Sequence, residues 1–252
     1  MAELISHAMK SLGSMALIQA VFRHSVMAMG ESFKDPKELE NIYRKRFGAL
    51  VEYRMDVWEV LVKKFFQQYV RPTDAVLDLG CGYGEFINHI SCERKIGLDL
   101  NPESPKYLKS DVQFIAQDCS EPWGVPDSSL DVVFSSNFFE HLPDKLALRK
   151  TIAEAHRCLK PGGKIIAMGP NIKCVPGSYW DFWDHFLCLT ERSMSEALEN
   201  NGYRVVVERA RFLPYSMVNG PRYPLAIIRA YLKLPIAWRI FGKQFLVIAE
   251  RI

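Results

Sequence analysis

From Ala75 onward, short runs of branched apolar residues alternate with stretches of helical periodicity, and the first run, AVLDL, leads directly into GCGYG. A strand–helix–strand alternation buries its strands by forming a parallel sheet covered by helices on both faces. Further strands are expected at KIGLDL, VQFIAQD, LDVVFSSN, KIIAMGP, YRVVVERARF and QFLVIAERI. A helix is expected near Phe86–Ser91. Another should run from about Lys145 to Leu159, with Leu148, Ile152, Ala155 and Leu159 along one side and LKPGG ending it. A third, in TERSMSEALENNG, is capped and ends at Gly202. In such sheets ligands sit beyond the carboxyl ends of the strands, where the strand order reverses.

Upstream, Asp35-Pro36-Lys37-Glu38 combines a helix cap, a proline at the first helical position and a glutamate completing a capping box. Gly48 should interrupt that helix. A second helix then carries Trp58, Leu61, Phe65 and Tyr69 on one face, and RPTD stops it. Residues 1–34 carry scattered Met, His and Ala with weak helical periodicity, and read as helical or disordered. The chain thus divides into 1–34, a helical cap over 35–72 and a sheet domain over 73–252. At 48% hydrophobic and 24% charged residues it has ordinary globular composition, and a net charge of +3 does not by itself point to nucleic acid. The six cysteines show no C-x-x-C and no zinc spacing, as expected of reduced thiols in a cytoplasmic protein. There is no basic segment followed by an apolar core at the start, and no uncharged apolar run of about 18 residues.

The glycine loop distinguishes between ligands. A dinucleotide fingerprint would be G-x-G-x-x-G, but Glu85 stands where its third glycine belongs, and Gly80, Gly82 and Gly84 make G-x-G-x-G instead. Asp78 lies two residues before Gly80. A carboxylate there is a poor neighbour for a pyrophosphate and a good one for an ammonium or sulfonium. Asp99 ends the second strand, where a carboxylate can accept from both hydroxyls of a ribose. Asp118 ends the third, where it can accept from an exocyclic amine, and Asn137 ends the fourth.

The segments VLDLGCGYGEF, IGLDLNP, FIAQDCSEPW, LDVVFSSNFFEHLPD and RCLKPGGKIIAMGPN resemble, in order and spacing, the successive motifs of class I S-adenosylmethionine (SAM) dependent methyltransferases of the type 11 group. The resemblance covers about residues 75–210. It implies an α/β, Rossmann-like, doubly wound sheet of seven mostly parallel strands with the last antiparallel. The helices before residue 73 are then an N-terminal extension, and 212–243 an insertion before the last strand. It implies SAM as cofactor, with Gly80, Gly82 and Gly84, and Cys81 among them, under the methionine moiety. By the same match Asp78 meets its amino group, Asp99 the ribose and Asp118 the adenine, with Leu100 and Cys119 flanking the ring and Asn137 nearby. In similar enzymes an N-terminal helical pair closes over the cofactor, so Arg46 is expected to pair with the SAM carboxylate.

Methyl transfer from a sulfonium is an in-line displacement in which positioning alone supplies roughly 7–11 kcal/mol. A base adds about 10²–10⁴-fold when the acceptor is a hydroxyl. NFFEHLPD places Glu140 and His141 after strand four, and GSYWDFWDHFLCLT places Asp181, Asp184 and His185 among aromatics after strand five. His185, oriented by Asp184, is the favoured base, with His141 second. Asp181, Asp184 and His185 lack a recognised ligand spacing, and no metal is expected. The acceptor is read as a small molecule, glycan or lipid-linked compound, methylated on oxygen. The alternatives are a nucleic-acid or protein methyltransferase, whose Asn/Asp-Pro-Pro-Tyr motif is absent, and a non-catalytic SAM-binding partner subunit. Residues 212–243 interleave Arg222, Arg229, Lys233, Arg239 and Lys243 with apolar and aromatic residues. That pattern suits a lid, a dimer contact, a hydrophobic-acceptor wall or a peripheral contact with the inner membrane face.

Overall fold

A computed structural model describes residues 36–215 and 221–252. The segment 1–34 and the expected cap residue Asp35 lie outside the described residues, as does 216–220. Seven strands form one sheet: β1 (Ala75–Leu79), β2 (Arg94–Asp99), β3 (Val112–Ala116), β4 (Leu130–Ser136), β5 (Leu159–Pro170), β6 (Tyr203–Arg209) and β7 (Gln244–Arg251). Their order is β3-β2-β1-β4-β5-β7-β6, with β7 antiparallel to both neighbours and the other pairings parallel. The order reverses between β1 and β4, so the cleft that binds ligands in such sheets opens beside the end of β1.

Strand residues alternate between two cores. Along β7, Phe245, Val247 and Ala249 face one and Leu246 and Ile248 the other, all nearly inaccessible to solvent. The first core is closed by α3 (Lys145–Cys158) through Leu148, Ile152 and Ala155, and by α4 (Glu191–Glu199) through Met194 and Leu198. Asp144 caps α3 by accepting from the Ala147 amide at 2.8 Å, and Thr190 with Ser193 forms a reciprocal capping box on α4. The second core is closed by α2 (Val51–Lys64), by Phe65 and Phe66, and by the insertion helices α5 (Leu225–Leu232) and α6 (Pro235–Phe241). Helix α1 (Pro36–Phe47) precedes α2, and a 3-10 turn at Gly48–Leu50 separates them, the interruption expected at Gly48.

Three expectations need correction. The stretch at Phe86–Ser91 is a series of turns, not a helix. The Ile87 amide is taken by the Asp78 carboxylate, so only isolated helical bonds form around it, from the amides of Asn88 to Gly84 at 3.0 Å and of Ile90 to Phe86 at 3.2 Å. LKPGG does not lie between helix and strand. It is the first part of β5, which pairs Leu159 with Leu130 and then shifts register, with Gly162 at φ 75°. Finally, β3 stops at Ala116, so Asp118 lies two residues beyond the strand.

Candidate active site

The turn after β1 is built by its glycines. Gly80, Gly82 and Gly84 have φ of 70°, 52° and 80°, the left-handed region that side chains disfavour. A Cβ on Gly80 would lie 2.3 Å from the Phe138 ring, so that ring can seat only against bare backbone. Asp99, at the end of β2, holds the turn from below: its carboxylate accepts from the amides of Gly82 at 2.7 Å and Asn101 at 2.8 Å. Asp78 is buried under the same turn, and burial pushes its carboxyl well above the usual range. A cationic ligand would offset that cost. Asp118 accepts from the amide and hydroxyl of Ser120, both at 2.9 Å, and Asn137 follows β4 in a left-handed conformation at φ 51° with its Oδ1 buried and unpartnered.

Asp78, Gly80, Cys81, Gly82, Asp99, Leu100, Asp118, Cys119 and Asn137 all line one cavity of about 1010 Å³. Gly84 lies outside that lining, where a Cβ would strike Leu108 at 2.6 Å. The residues present fit SAM: acidic acceptors for a cation and a ribose, a cradle of bare backbone, and an orphaned amide oxygen in the cavity wall. The N-terminal helices cover this cradle. A Cβ on Gly82 would come within 3.1 Å of the Tyr43 ring, and Arg54 holds Glu85 through two contacts of 3.0 and 2.8 Å.

Arg46 is placed differently from expectation. Its guanidinium makes paired hydrogen bonds of 3.0 and 2.5 Å with the Asp184 carboxylate and lies 4.8 Å from the Phe182 ring centroid. It is committed to Asp184, so pairing with a SAM carboxylate is not its arrangement here. Asp184 in turn serves His141 and not its neighbour His185. His141 Nδ1 lies 2.8 Å from the Asp184 carbonyl and 3.2 Å from its Oδ2. Burial opposes ionisation of Asp184, but bonds from His141 and Arg46 outweigh it and hold the carboxyl well below its ordinary range. The same pairing raises His141 against a burial that lowers it.

His185 is 6% exposed, its Nδ1 is buried without a hydrogen-bond partner, and burial lowers it to about 4. It is a neutral imidazole near pH 7, lacking the carboxylate partner expected for it. Glu140 completes the group: it is buried, and burial raises its carboxyl to about 7. The two loops are joined by main chain, since the Glu140 carbonyl accepts from the amides of Phe186 at 2.8 Å and Leu187 at 3.1 Å. Sequence reasoning named Glu140 beside His141 but gave it no part in the site. Nothing in the local pattern reveals that it meets His185.

Residues 77–167 match the model of a family described as methyltransferase domain. Over that span the chain is similar to a methyltransferase domain, and its seven-stranded sheet has the fold of class I SAM-dependent methyltransferases. It is 25% identical over 223 residues to a demethylmenaquinone methyltransferase of Symbiobacterium thermophilum, covering 77% of this chain and 85% of that protein. Over 120 residues it is 32% identical to phosphoethanolamine N-methyltransferase 1 of Arabidopsis thaliana, covering 41% of this chain and 23% of that one. The chain spans less than half the length of the first curated relatives it matches. The crystal structure of a SAM-dependent methyltransferase from Archaeoglobus fulgidus shares the fold, with a TM-score of 0.59 at 20% identity over 78% of this chain and 94% of that one. SAM is the cofactor that this family and fold imply.

Proposed function

We propose that this protein transfers the methyl group of SAM to an oxygen of a small acceptor that carries an apolar portion. One observation carries the reading. The cavity that holds the glycine cradle is also lined by Ile227, Ile228, Tyr231, Leu234 and Phe241 of the insertion, and by the polar group Glu140, His141 and His185. Cofactor, polar acceptor group and apolar acceptor body thus have adjoining walls in one space. A volume of about 1010 Å³ is at the upper end of the roughly 300–1,000 Å³ typical of single-ligand sites, which suits two occupants. The relative named for demethylmenaquinone, a quinone, supports a small-molecule acceptor. Of the roles open to 212–243, walling an apolar acceptor is the one this geometry favours. No helix among the described residues is long and apolar enough to cross a membrane.

The test is transfer of label from methyl-labelled SAM to a panel of acceptors: alkylated phenols and hydroquinones, phosphoethanolamine, a glycan, RNA and protein. Label is expected on the phenolic oxygen of the apolar members. Label on phosphoethanolamine nitrogen or on RNA would replace the acceptor class. Tight SAM binding with no labelled product from the panel or from a cell extract would favour the non-catalytic partner.

A further inference from the structure

We infer that Glu140, His141 and His185 form a site for one divalent transition-metal cation, of the zinc or iron(II) type, in the acceptor half of the cavity. The inference rests on the reading of that cavity as a methyl-transfer site and adds the device that handles the acceptor oxygen. One ligand atom from each of the three side chains lies within 4.8 Å of the others. Ligands about 2.1 Å from a shared tetrahedral ion stand roughly 3.4 Å apart, so small rotations about the side-chain torsions close the set.

The surroundings are those of a ligand set. His141 gives its Nδ1–H to the Asp184 carbonyl and carboxylate, which fixes the tautomer and leaves the Nε2 lone pair available. A carboxylate behind a histidine is the usual support of a metal ligand. Arg46 fixes that carboxylate in turn, with paired bonds from α1. His185 is buried, and its Nδ1 has no hydrogen-bond partner. An orphaned ring nitrogen costs free energy unless something accepts its lone pair or proton, and a cation would accept the lone pair. Glu140 is a buried carboxylate, 2% exposed, on the same wall. Two imidazoles and one carboxylate favour a borderline cation over Mg²⁺ or Ca²⁺, and three protein ligands leave a position open.

That open position belongs to the cavity that also holds the glycine cradle. An acceptor hydroxyl bound there loses its proton to solvent because the cation stabilises the oxyanion. The oxygen lone pair then forms the bond to the methyl carbon as the carbon–sulfur bond breaks, and sulfur keeps that bond's electron pair. Products are the methyl ether, S-adenosylhomocysteine and one proton. No oxidant or reductant enters.

The experiment uses the full chain without an affinity tag, stripped with a chelator and titrated with Zn²⁺ by calorimetry, with Co²⁺ as spectroscopic probe. One equivalent is expected to bind. The Co²⁺ complex should show a d–d band without thiolate charge transfer, which separates this site from Cys174 and Cys188. Glu140→Gln and His185→Ala should each weaken binding at least tenfold. Asp184→Asn, acting through His141, should weaken it about 10–100-fold. Circular dichroism and SAM titration of the same samples check folding, and the near-isosteric Glu140→Gln keeps the test valid where a histidine variant unfolds. No binding of Zn²⁺ or Co²⁺, or binding that none of these variants weakens, overturns the site. SAM binding measured alongside separates the failures: SAM bound without metal defeats this inference alone, whereas loss of both defeats the methyl-transfer reading as well.

Discussion

At the residue scale, the glycine turn and its acidic supports were legible, and the grouping of Glu140, His141 and His185 was not, for a physical reason. Gly80, Asp78 and Asp99 act through backbone in their own or the adjacent strand turn, so their roles follow from short-range pattern. The Arg46–Asp184 pair is 138 residues apart in sequence, and any of the chain's many charges could have met either partner. The Asp184–His185 adjacency even misdirected the reading, because neighbouring side chains on an irregular loop point apart and Asp184 reaches back to His141. Asp99 gives a direct check. Each of its oxygens already accepts one amide, and each has a second lone pair for a ribose hydroxyl. Hydrogen bonds to a charged acceptor are worth about 1.5–3 kcal/mol, so Asp99→Ala should weaken SAM binding at least about tenfold. It should also loosen the Gly82 turn. Calorimetry showing wild-type affinity in a folded Asp99→Ala protein would remove Asp99 from the cofactor site.

At the scale of elements, sequence periodicity found the strands and the helices that cover them, but it misread two connections. Side-chain acceptors near Ile87 and a register shift in β5 are decided by tertiary partners, which a local pattern does not contain. The insertion was recognisable as extra length, and its packing was not. Trp238 of α6 fixes it: the indole is buried, edge-on to Phe65 at 5.7 Å and Phe212 at 5.2 Å, and its Nε1–H donates to the Tyr231 carbonyl at 2.8 Å. Trp238→Ala should cost about 3–5 kcal/mol and speed amide exchange across Leu225–Phe241 before the rest of the sheet. Ile240→Ala, 61% exposed on the same helix, should stay within about 0.5 kcal/mol. Denaturant unfolding and exchange mass spectrometry read both. Unchanged stability in Trp238→Ala would mean that the insertion is not anchored through this cluster.

At the scale of the whole molecule, the parts form a container whose two ends differ in chemistry. The sheet supplies an acidic cradle at the strand ends, and the insertion supplies an apolar wall through Ile227, Ile228, Tyr231, Leu234 and Phe241. Ile227 and Phe241 line the cavity yet are 52% and 60% exposed, so in the absence of acceptor they present apolar surface to water. An alkyl chain laid against them removes area on both partners. Burial is worth about 0.8 kcal/mol per methylene, which corresponds to nearly fourfold in kcat/KM for each added methylene. A series of alkylphenols should therefore gain up to about that factor per carbon until the chain outruns the wall, and then level off. Ile227→Glu should flatten the series by placing a charge where the chain lies, and SAM titration of the same variant separates loss of acceptor contact from loss of cofactor. Steady-state kinetics over the series measures it. Turnover independent of chain length in the wild-type protein would show that α5 and α6 do not hold the acceptor, and that the apolar wall has another occupant.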